Sequence, residues 1–271
     1  MTSIKIIFFD IDGTLVDSET GRIPDKTFEA LQRLRENGVL LCIATGRSPV
    51  VLPDFGTFQF DAYCTFNGSL CYTQKEVIHS NPLSPADVEK VLESASAIGR
   101  PVSVATRERM AANGVDKDLT DYYLLADLTL TVADDFDTVR REPVYQIMLG
   151  CRSADHEAII QGTAGVKIAV SWDRAVDVIS VSSGKGAAIT KILKHFNLNA
   201  ADAMAFGDSY NDIEILQTVG TGVAMGKAAA WIKEIADDTC GSVSEDGIYH
   251  YCIDHGLICP KNRDLITEAC I

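Results

Sequence analysis

The sequence of 271 residues is poor in basic residues and contains no long apolar run. Lysine and arginine together number 24 against 38 aspartates and glutamates, which gives a formal net charge of −14. This balance argues against a nucleic-acid backbone or an anionic membrane surface as partner, because both require a basic face. No apolar run approaches the roughly 20 residues that a membrane-spanning helix needs. We therefore expect neither nucleic acid nor membrane among the partners.

Cysteine pairs with the Cys-x-x-Cys spacing of many zinc and redox sites are also missing, although the sequence contains eight cysteines. The apolar run at the start is too short for a secretion signal and ends at Asp10. A chain that is not exported keeps its cysteines as free thiols in a reducing compartment. The sequence therefore predicts a cytoplasmic protein, and it leaves the oligomeric state unknown. The cysteines are Cys42, Cys64, Cys71, Cys151, Cys240, Cys252, Cys259 and Cys270.

Short apolar segments alternate with amphipathic ones at both ends of the chain. An apolar run rich in β-branched and aromatic residues indicates a strand buried on both faces of a parallel sheet. The helix after the first strand is expected to start with Asp25 as its N-cap and to end at Asn37-Gly38. This alternation predicts an α/β fold with a doubly wound parallel sheet. The predicted strands are 4–9, 39–44, 203–206 and 222–225, and a later helix starts near Lys185.

The middle of the chain has a different pattern, in which strands outnumber helices. Proline-rich and glycine-containing segments near 81–85 and 182–184 are typical of linkers. We therefore predict that an α+β cap domain, residues 82–181, is inserted into a core formed by residues 1–81 and 182–271. Within it the predicted strands are 102–105, 128–132, 144–149, 166–170 and 176–181, and the predicted helices are 86–98 and 155–161.

Four polar clusters follow predicted strands or begin predicted helices, and ligands of open parallel sheets bind beyond the carboxyl ends of the strands. Each cluster also has a simpler interpretation. Thr45-Gly46-Arg47 could be an ordinary turn, Lys185 could be exposed to solvent, and the segment from Gly207 to Asp212 could only cap a helix. All four in this order make coincidence improbable. The clusters are Asp10-Ile11-Asp12-Gly13, Thr45-Gly46-Arg47, Lys185 and Gly207-Asp208-Ser209-Tyr210-Asn211-Asp212.

These clusters resemble the four motifs of the haloacid dehalogenase (HAD) superfamily of phosphohydrolases. The segment 8–15 resembles the first motif, 44–47 the second, Lys185 the third and 207–212 the fourth. The large module between the second and third motifs is similar to the α+β cap of the Cof-type subgroup. The resemblance implies a Rossmann-like HAD core with an inserted α+β cap.

The resemblance also implies a mechanism. Asp10 would attack phosphorus and form an aspartyl-phosphate, and Asp12 would be the general acid and base. Asp10, Asp208 and the backbone carbonyl of Asp12 would bind Mg²⁺. Asp212 would be a supporting carboxylate that orients Lys185 or a metal-bound water. The expected phosphate ligands are Thr45, Gly46, Arg47, Lys185 and Asn211.

The resulting prediction is a phosphatase that acts on small phosphorylated metabolites. By resemblance the leading substrates are sugar phosphates, followed by pyridoxal and flavin mononucleotide phosphates. Two alternatives remain open: a phosphomutase, and a phospho-acceptor or binding protein without turnover. Release of inorganic phosphate over many turnovers distinguishes the phosphatase from both.

Overall fold

The computed structural model describes residues 4–126 and 128–260, which form two compact units. The first unit contains the described residues up to Ala44, residues 60–62 and the described chain from Leu193 onward. The second contains residues 45–59 and 63–192. The outer ends of the predicted core, residues 1–3 and 261–271 with Cys270, lie outside the described residues.

Strands and helices alternate over residues 6–44 and again over residues 185–254. The strands are β1 (Ile6–Phe9), β2 (Leu40–Ala44), β3 (Ala62–Thr65), β4 (Leu70–Tyr72), β5 (Val77–Ser80), β6 (Val102–Ala105), β7 (Met110–Ala112), β8 (Gln146–Gly150), β9 (Val166–Trp172), β10 (Ala175–Ser180), β11 (Ala203–Gly207), β12 (Thr221–Ala224) and β13 (Asp238–Thr239). The helices are α1 (Asp25–Glu36), α2 (Pro85–Ala97), α3 (Lys117–Leu124), α4 (Phe136–Val139), α5 (His156–Ile160), α6 (Lys185–His195), α7 (Ile213–Thr218), α8 (Ala230–Ile235) and α9 (Gly247–Asp254).

The first unit is built on a parallel sheet with the strand order β13-β12-β11-β1-β2. Strand β1, which has a parallel neighbour on each side, is buried along its whole length, which explains its uninterrupted apolar sequence. Its residue Ile6 pairs with Ala203 of β11 on one side and with Leu40 of β2 on the other. The doubly wound α/β fold predicted from the sequence is confirmed.

Helix α1 begins at Asp25, the residue predicted to be its cap, and therefore one residue earlier than expected. Pro24 takes the N-cap position without a side-chain hydrogen bond, and Asp25 lies in the first turn. The prediction of Asp25 as N-cap was therefore wrong. Proline before Asp25 already has the extended backbone that a cap needs, and a carboxylate in the first turn still interacts favourably with the helix dipole.

The second unit contains two antiparallel arrangements. Strands β3, β4 and β5 pair in chain order, with Cys64 opposite Cys71. A separate five-stranded sheet has the order β7-β6-β8-β10-β9 and is antiparallel throughout. This sheet and its helices are the α+β module that the sequence predicts. The exact boundaries 82 and 181 remain a prediction.

The predicted strand 128–132 is not formed. Within this segment Val132 makes an isolated bridge with Ala112 of β7. The strand that pairs with β6 at this edge of the sheet is β7. Leu128 and Leu130 pack, partly buried, against the cluster that contains Tyr123 and Tyr145. Leucines that alternate with threonines give the sequence pattern of a strand, because every second side chain packs against the protein. The segment nevertheless has no regular strand pairing.

The two faces of the five-stranded sheet differ in chemistry. Because successive side chains of a strand point to opposite faces, each strand contributes to both. One face is aliphatic and packs against the helices α2, α4 and α5; we call it the aliphatic face, and it carries Val102, Val104, Ile147, Leu149, Val176 and Val178. The other we call the polar face; its side chains include Ser103, Ala105, Gln146, Met148 and Asp177.

Two findings concern the helices and the cysteines of residues 4–126 and 128–260. No helix there combines the length and the apolar character needed to cross a membrane. No disulfide joins the seven cysteines of these ranges.

Candidate active site

Among the described residues of the first unit, three carboxylates lie close together. One ligand oxygen of each of Asp10, Asp208 and Asp212 lies within 4.8 Å of the other two; we call this group the acid cluster. Asp10 follows β1 and Asp208 follows β11, and these strands are parallel neighbours. The backbone N–H of Asp10 donates to the carbonyl of Phe206 at 3.1 Å. Strand pairing therefore brings together the first and fourth predicted motifs.

Two glycines allow the carboxylates of the acid cluster to approach the backbone. Gly13 has a left-handed φ of +83°, and a Cβ there would lie 2.3 Å from Oδ2 of Asp208. A Cβ on Gly207 would lie 2.6 Å from the Cβ of Asp212. Both distances are far below van der Waals contact. Glycine is therefore required at both positions if Asp208 and Asp212 are to stay where they are.

Asp212 also holds the loop that carries Asp208. Its Oδ2 accepts from the backbone N–H groups of Asp208 and Ser209 and from the Ser209 hydroxyl, each at 3.1 Å. The Ser209 hydroxyl lies 2.6 Å from Oδ1 of Asn211. The helix-capping interpretation of this segment is thus correct in part. The same fully buried carboxylate caps the turn and belongs to the acid cluster.

The donor set of the acid cluster fits a hard divalent cation. Three carboxylates at this spacing repel one another unless a cation or protons compensate their charge. Carboxylate oxygens are the ligands that Mg²⁺ prefers, and the cluster contains no nitrogen or sulfur ligand. Asp12, two residues after Asp10, is exposed and contributes no side chain to the cluster. Its expected role through the backbone carbonyl remains a prediction.

The second motif, Thr45-Gly46-Arg47, lies in the second unit and forms a turn. Thr45 is 1% exposed, and its hydroxyl oxygen accepts from the N–H of Arg47 at 3.1 Å. The guanidinium group of Arg47 donates to the carbonyl of Val51 at 2.9 Å. The turn interpretation therefore describes the local geometry correctly. At least one guanidinium N–H of Arg47 is used within the chain rather than for a ligand.

Asn67 lies directly against this turn, and the sequence analysis assigned it no role. Its N–H donates to the carbonyl of Thr45 at 3.0 Å, and a Cβ on Gly46 would lie 3.1 Å from its Nδ2. Phe66 and Asn67 both have positive φ, at +53° and +51°. Asparagine tolerates this region better than most residues, and the dipeptide Asn67-Gly68 is the sequence signal that could have pointed to it.

Lys185 is the first residue of α6 and is 1% exposed. The interpretation as a solvent-exposed lysine is therefore excluded. Burial of an ammonium group is costly unless anionic or polar groups compensate it, and a helix N-terminus adds partial positive charge beside it. A Cβ on Gly68 would lie 2.4 Å from the carbonyl oxygen of Gly184, so the Asn67 loop and the start of α6 are in close contact.

The predicted site residues thus fall into two groups, one in each unit. In the first unit Asp10, Asp208 and Asp212 are together, with Asn211 in the loop of Asp208. In the second unit Thr45, Gly46 and Arg47 are together with Asn67. The first group offers carboxylates for a cation. The second offers backbone N–H groups and a hydroxyl, which suit an anion.

Comparison with known proteins gives a consistent result. Residues 7–252 match the family model of the haloacid dehalogenase-like hydrolases. The candidate phosphatase YkrA of Bacillus subtilis (strain 168) is 31% identical over 265 residues, which cover 94% of this chain and 98% of YkrA. The HMP-PP phosphatase of Citrobacter koseri is 28% identical over 236 residues, which cover 83% of this chain and 85% of that protein.

A solved structure of a subclass IIB sugar phosphatase of the HAD superfamily is similar along the chain. It superimposes with a TM-score of 0.84 and 28% sequence identity, and the match covers 94% of this chain and 100% of the sugar phosphatase. The similarity therefore extends over both units rather than over a single motif.

Proposed function

Because the chain belongs to the haloacid dehalogenase-like hydrolases and is a phosphatase of that family, we propose that it hydrolyses small phosphomonoesters with Mg²⁺ through an aspartyl-phosphate on Asp10. One observation carries the proposal. Three carboxylate oxygens lie within 4.8 Å of one another at the ends of neighbouring parallel strands. A binding protein without chemistry has no need for this costly arrangement of like charges.

Mg²⁺ would be held by Asp10, Asp208 and the backbone carbonyl of Asp12, with Asp212 fixing the loop of Asp208. When bound, the ion supplies the positive charge that allows a carboxylate to approach a phosphate dianion. The hydrogen bonds that Asp212 accepts from Asp208 and Ser209 support its role as the residue that orients the site.

The chain's own groups perform the chemical steps in this proposal. A carboxylate oxygen of Asp10 attacks phosphorus, and the bond from phosphorus to the alcohol oxygen breaks. Asp12 gives its proton to the departing oxygen and then takes a proton from the water that hydrolyses the aspartyl-phosphate. The exposure of Asp12 is compatible with this exchange, since both the leaving group and the water come from outside.

The transferred phosphoryl group would be bound by Lys185, Thr45, Asn211, the backbone of Gly46 and Arg47. Their N–H, O–H and ammonium groups donate to the phosphoryl oxygens, where negative charge spreads in the transition state. Lys185 is suited to this role because it is buried and stands at a helix N-terminus.

For the substrate we propose sugar phosphates, selected by the inserted domain of residues 82–181. The similar solved structure is a sugar phosphatase, whereas the similar protein of Citrobacter koseri is named for HMP-PP. Both names refer to small phosphorylated molecules. A phosphomutase remains the second candidate, because it uses the same aspartyl-phosphate but returns the phosphate to its substrate. The predicted cytoplasmic location belongs to the same proposal.

Phosphate release tests the proposal. The purified protein is incubated with a panel of phosphorylated metabolites, with Mg²⁺, with excess chelator and with Ca²⁺. We expect many turnovers of inorganic phosphate with Mg²⁺, none with chelator, recovery when Mg²⁺ is restored, and poor replacement by Ca²⁺, which prefers longer bonds and more ligands. Undiminished activity in chelator would disprove the metal site, and stoichiometric phosphate transfer between metabolites would favour the mutase.

A further inference from the structure

A small group of hydroxyl and amide side chains lies directly before helix α6. The hydroxyl of Ser69 donates to Oγ of Ser183 at 2.8 Å, and Nδ2 of Asn81 donates to the same oxygen at 2.9 Å. The backbone N–H of Asn81 donates to the carbonyl of Ser69 at 2.8 Å, which closes a ring of three residues. We call these three residues the serine clasp. All of them belong to the second unit.

The serine clasp joins three segments that are far apart in the sequence. Ser69 directly precedes β4, Asn81 directly follows β5, and Ser183 comes two residues before α6. Ser69 is fully buried and Ser183 is 4% exposed, so neither hydroxyl can readily exchange its partner for water. A serine oxygen accepts at most two hydrogen bonds, and the oxygen of Ser183 accepts one from each of the other two segments.

On one side the serine clasp is connected to the helix that carries Lys185. Gly184, the residue between Ser183 and Lys185, accepts from the N–H of Ala188 at 3.0 Å and so takes part in the first turn of α6. The same carbonyl oxygen would lie 2.4 Å from a Cβ on Gly68. A displacement of Ser183 therefore moves the start of α6, because two peptide units separate the clasp from Lys185 and one of them already belongs to the first turn.

On the other side the serine clasp is connected to the Thr45 turn. The N–H of Ser69 donates to the carbonyl of Phe66 at 3.1 Å, and the N–H of Asn67 donates to the carbonyl of Thr45 at 3.0 Å. A short hydrogen-bonded loop thus leads from the clasp to the turn. The clasp bridges this turn and helix α6, although about 140 residues separate the two in the sequence.

We propose that Ser183 is a positioning residue of the phosphate site. By accepting from Ser69 and Asn81, it holds the start of α6 at a fixed distance from the Thr45 turn, so that Lys185 and the turn reach the same phosphoryl group. A displacement of about 1 Å in such a site can lower the rate by about a hundredfold. The inference rests on the proposed phosphatase function, and it gives a role to a hydroxyl group outside the four motifs.

The experiment measures how tightly the full-length protein binds inorganic phosphate in the presence of Mg²⁺. The readout is the inhibition constant of phosphate against hydrolysis of the best ester of the metabolite panel. This constant describes only folded and active molecules, so partial unfolding does not change it. Ser183→Ala should raise the constant by about tenfold and lower kcat/KM by about 10- to 100-fold. Asn81→Ala, at a partly exposed residue, should raise it by about threefold, because Ser69 still holds Ser183.

The double variant Ser69→Ala with Ser183→Ala separates positioning from stability. In Ser183→Ala alone the buried hydroxyl of Ser69 loses its acceptor, which destabilises the fold, whereas Asn81 keeps its hydrogen bond to Ser182 at 3.0 Å. Removal of both hydroxyls takes this cost away. The melting temperature of the double variant should therefore lie above that of Ser183→Ala, while the inhibition constant should stay as high. A merely structural role predicts that both values recover together.

Ser103→Ala is the matched control. Ser103 lies in β6, is also fully buried, and its hydroxyl also pairs with another hydroxyl, that of Tyr123 on α3. This variant should lose stability to a similar extent as Ser183→Ala. It should keep the wild-type inhibition constant for phosphate, because it does not touch the start of α6 or the Thr45 turn.

The outcomes are distinct. The inference is overturned if Ser183→Ala binds phosphate as tightly as the wild type, if Ser103→Ala weakens binding equally, or if the double variant recovers both stability and binding. Should Ser183→Ala not fold, an unchanged inhibition constant in Asn81→Ala refutes the inference. The proposed function itself fails if the wild type hydrolyses no ester of the panel. Hydrolysis by the wild type together with unchanged phosphate binding in the clasp variants refutes the inference alone.

Discussion

Asp10, Asp208 and Asp212 place their carboxylate oxygens within 4.8 Å of one another, whereas Asp177 is a single carboxyl group buried among the side chains of the five-stranded sheet. Backbone geometry builds the first arrangement, through strand pairing and two glycines that leave no room for a Cβ. Side-chain hydrogen bonds from Tyr122 and Gln146 build the second.

The two arrangements resolve the cost of burying a carboxylate in different ways. Three crowded carboxylates suit a divalent cation, whose charge compensates theirs. For Asp177, burial raises the pKa to about 7, although the hydrogen bonds from Gln146 and Tyr122 act in the opposite direction. The neighbours of each carboxylate therefore decide how the cost of its burial is compensated.

Neutralising Asp10 should have the largest effect. Asp10→Asn removes the nucleophile and a metal ligand, so kcat should fall by at least about a thousandfold while the fold persists. The matched control is Asp17→Asn. Asp17 is buried shortly after the first motif, and its carboxylate accepts from the N–H groups of Glu19 and Thr20. Similar losses of kcat in both variants would contradict a specific role of Asp10 as nucleophile and metal ligand.

A methyl group at Gly13 should disturb the acid cluster through Asp208. Gly13→Ala should lower Mg²⁺-dependent kcat/KM by about tenfold or more, because Oδ2 of Asp208 would have to move away from the new Cβ. Gly21→Ala is the control: Gly21 also has a positive φ, but nothing lies within 4 Å of a Cβ there. Both variants should lose a comparable amount of stability, on the order of 1 kcal/mol, from backbone strain. Equal losses of activity would mean that strain, and not the position of Asp208, is responsible.

Asp177 should have a smaller effect, on stability rather than on chemistry. An unfolded aspartate loses its proton near the ordinary value of 3.8, whereas folded Asp177 has a pKa of about 7. Between these pH values the folded state binds more protons, so the free energy of unfolding decreases as pH rises and then becomes constant above about pH 7. Asp177→Asn removes this decrease.

Melting curves at pH 5 and pH 8 measure the difference. The stability of Asp177→Asn relative to the wild type should increase from pH 5 to pH 8, by on the order of 2 kcal/mol. Because the other titrating groups are common to both proteins, their contributions cancel in the comparison. A relative stability that does not change with pH would place an ionised Asp177 in the folded protein at both pH values.

The sequence predicted the acid cluster because its residues follow apolar strands of a recognisable pattern. Asp10 and Asp208 come directly after buried runs, and parallel strands end at the same edge of a sheet. Asn67 could not be placed in this way, because its role depends on a positive φ and on contact with Gly46. A positive φ and a contact between distant residues arise only in the folded chain. Neither leaves a periodic pattern in the sequence from which it could be predicted.

The burial of Asp177 against Tyr122 was inaccessible to sequence reasoning for a different reason. Gln146 and Asp177 belong to neighbouring strands β8 and β10, but their register follows from the packing of the whole sheet. The prediction of a strand over 128–132 was wrong for a related reason, because a strand forms only where the fold supplies a partner strand. Its alternating leucines satisfy a strand pattern, yet they pack against Tyr123 and Tyr145 without a partner strand.

Direct detection of phosphorylated Asp10 tests the central claim most sharply. An aryl phosphate, whose leaving group needs no proton, is mixed with Mg²⁺ and the Asp12→Asn variant, which lacks the base for hydrolysis. After acid quenching, mass spectrometry of peptides should find one phosphoryl group on Asp10, in an amount close to the enzyme concentration, and none in Asp10→Asn. Sustained phosphate release by the wild type, with no phosphoryl group on Asp10 in either the wild type or Asp12→Asn, would contradict the account.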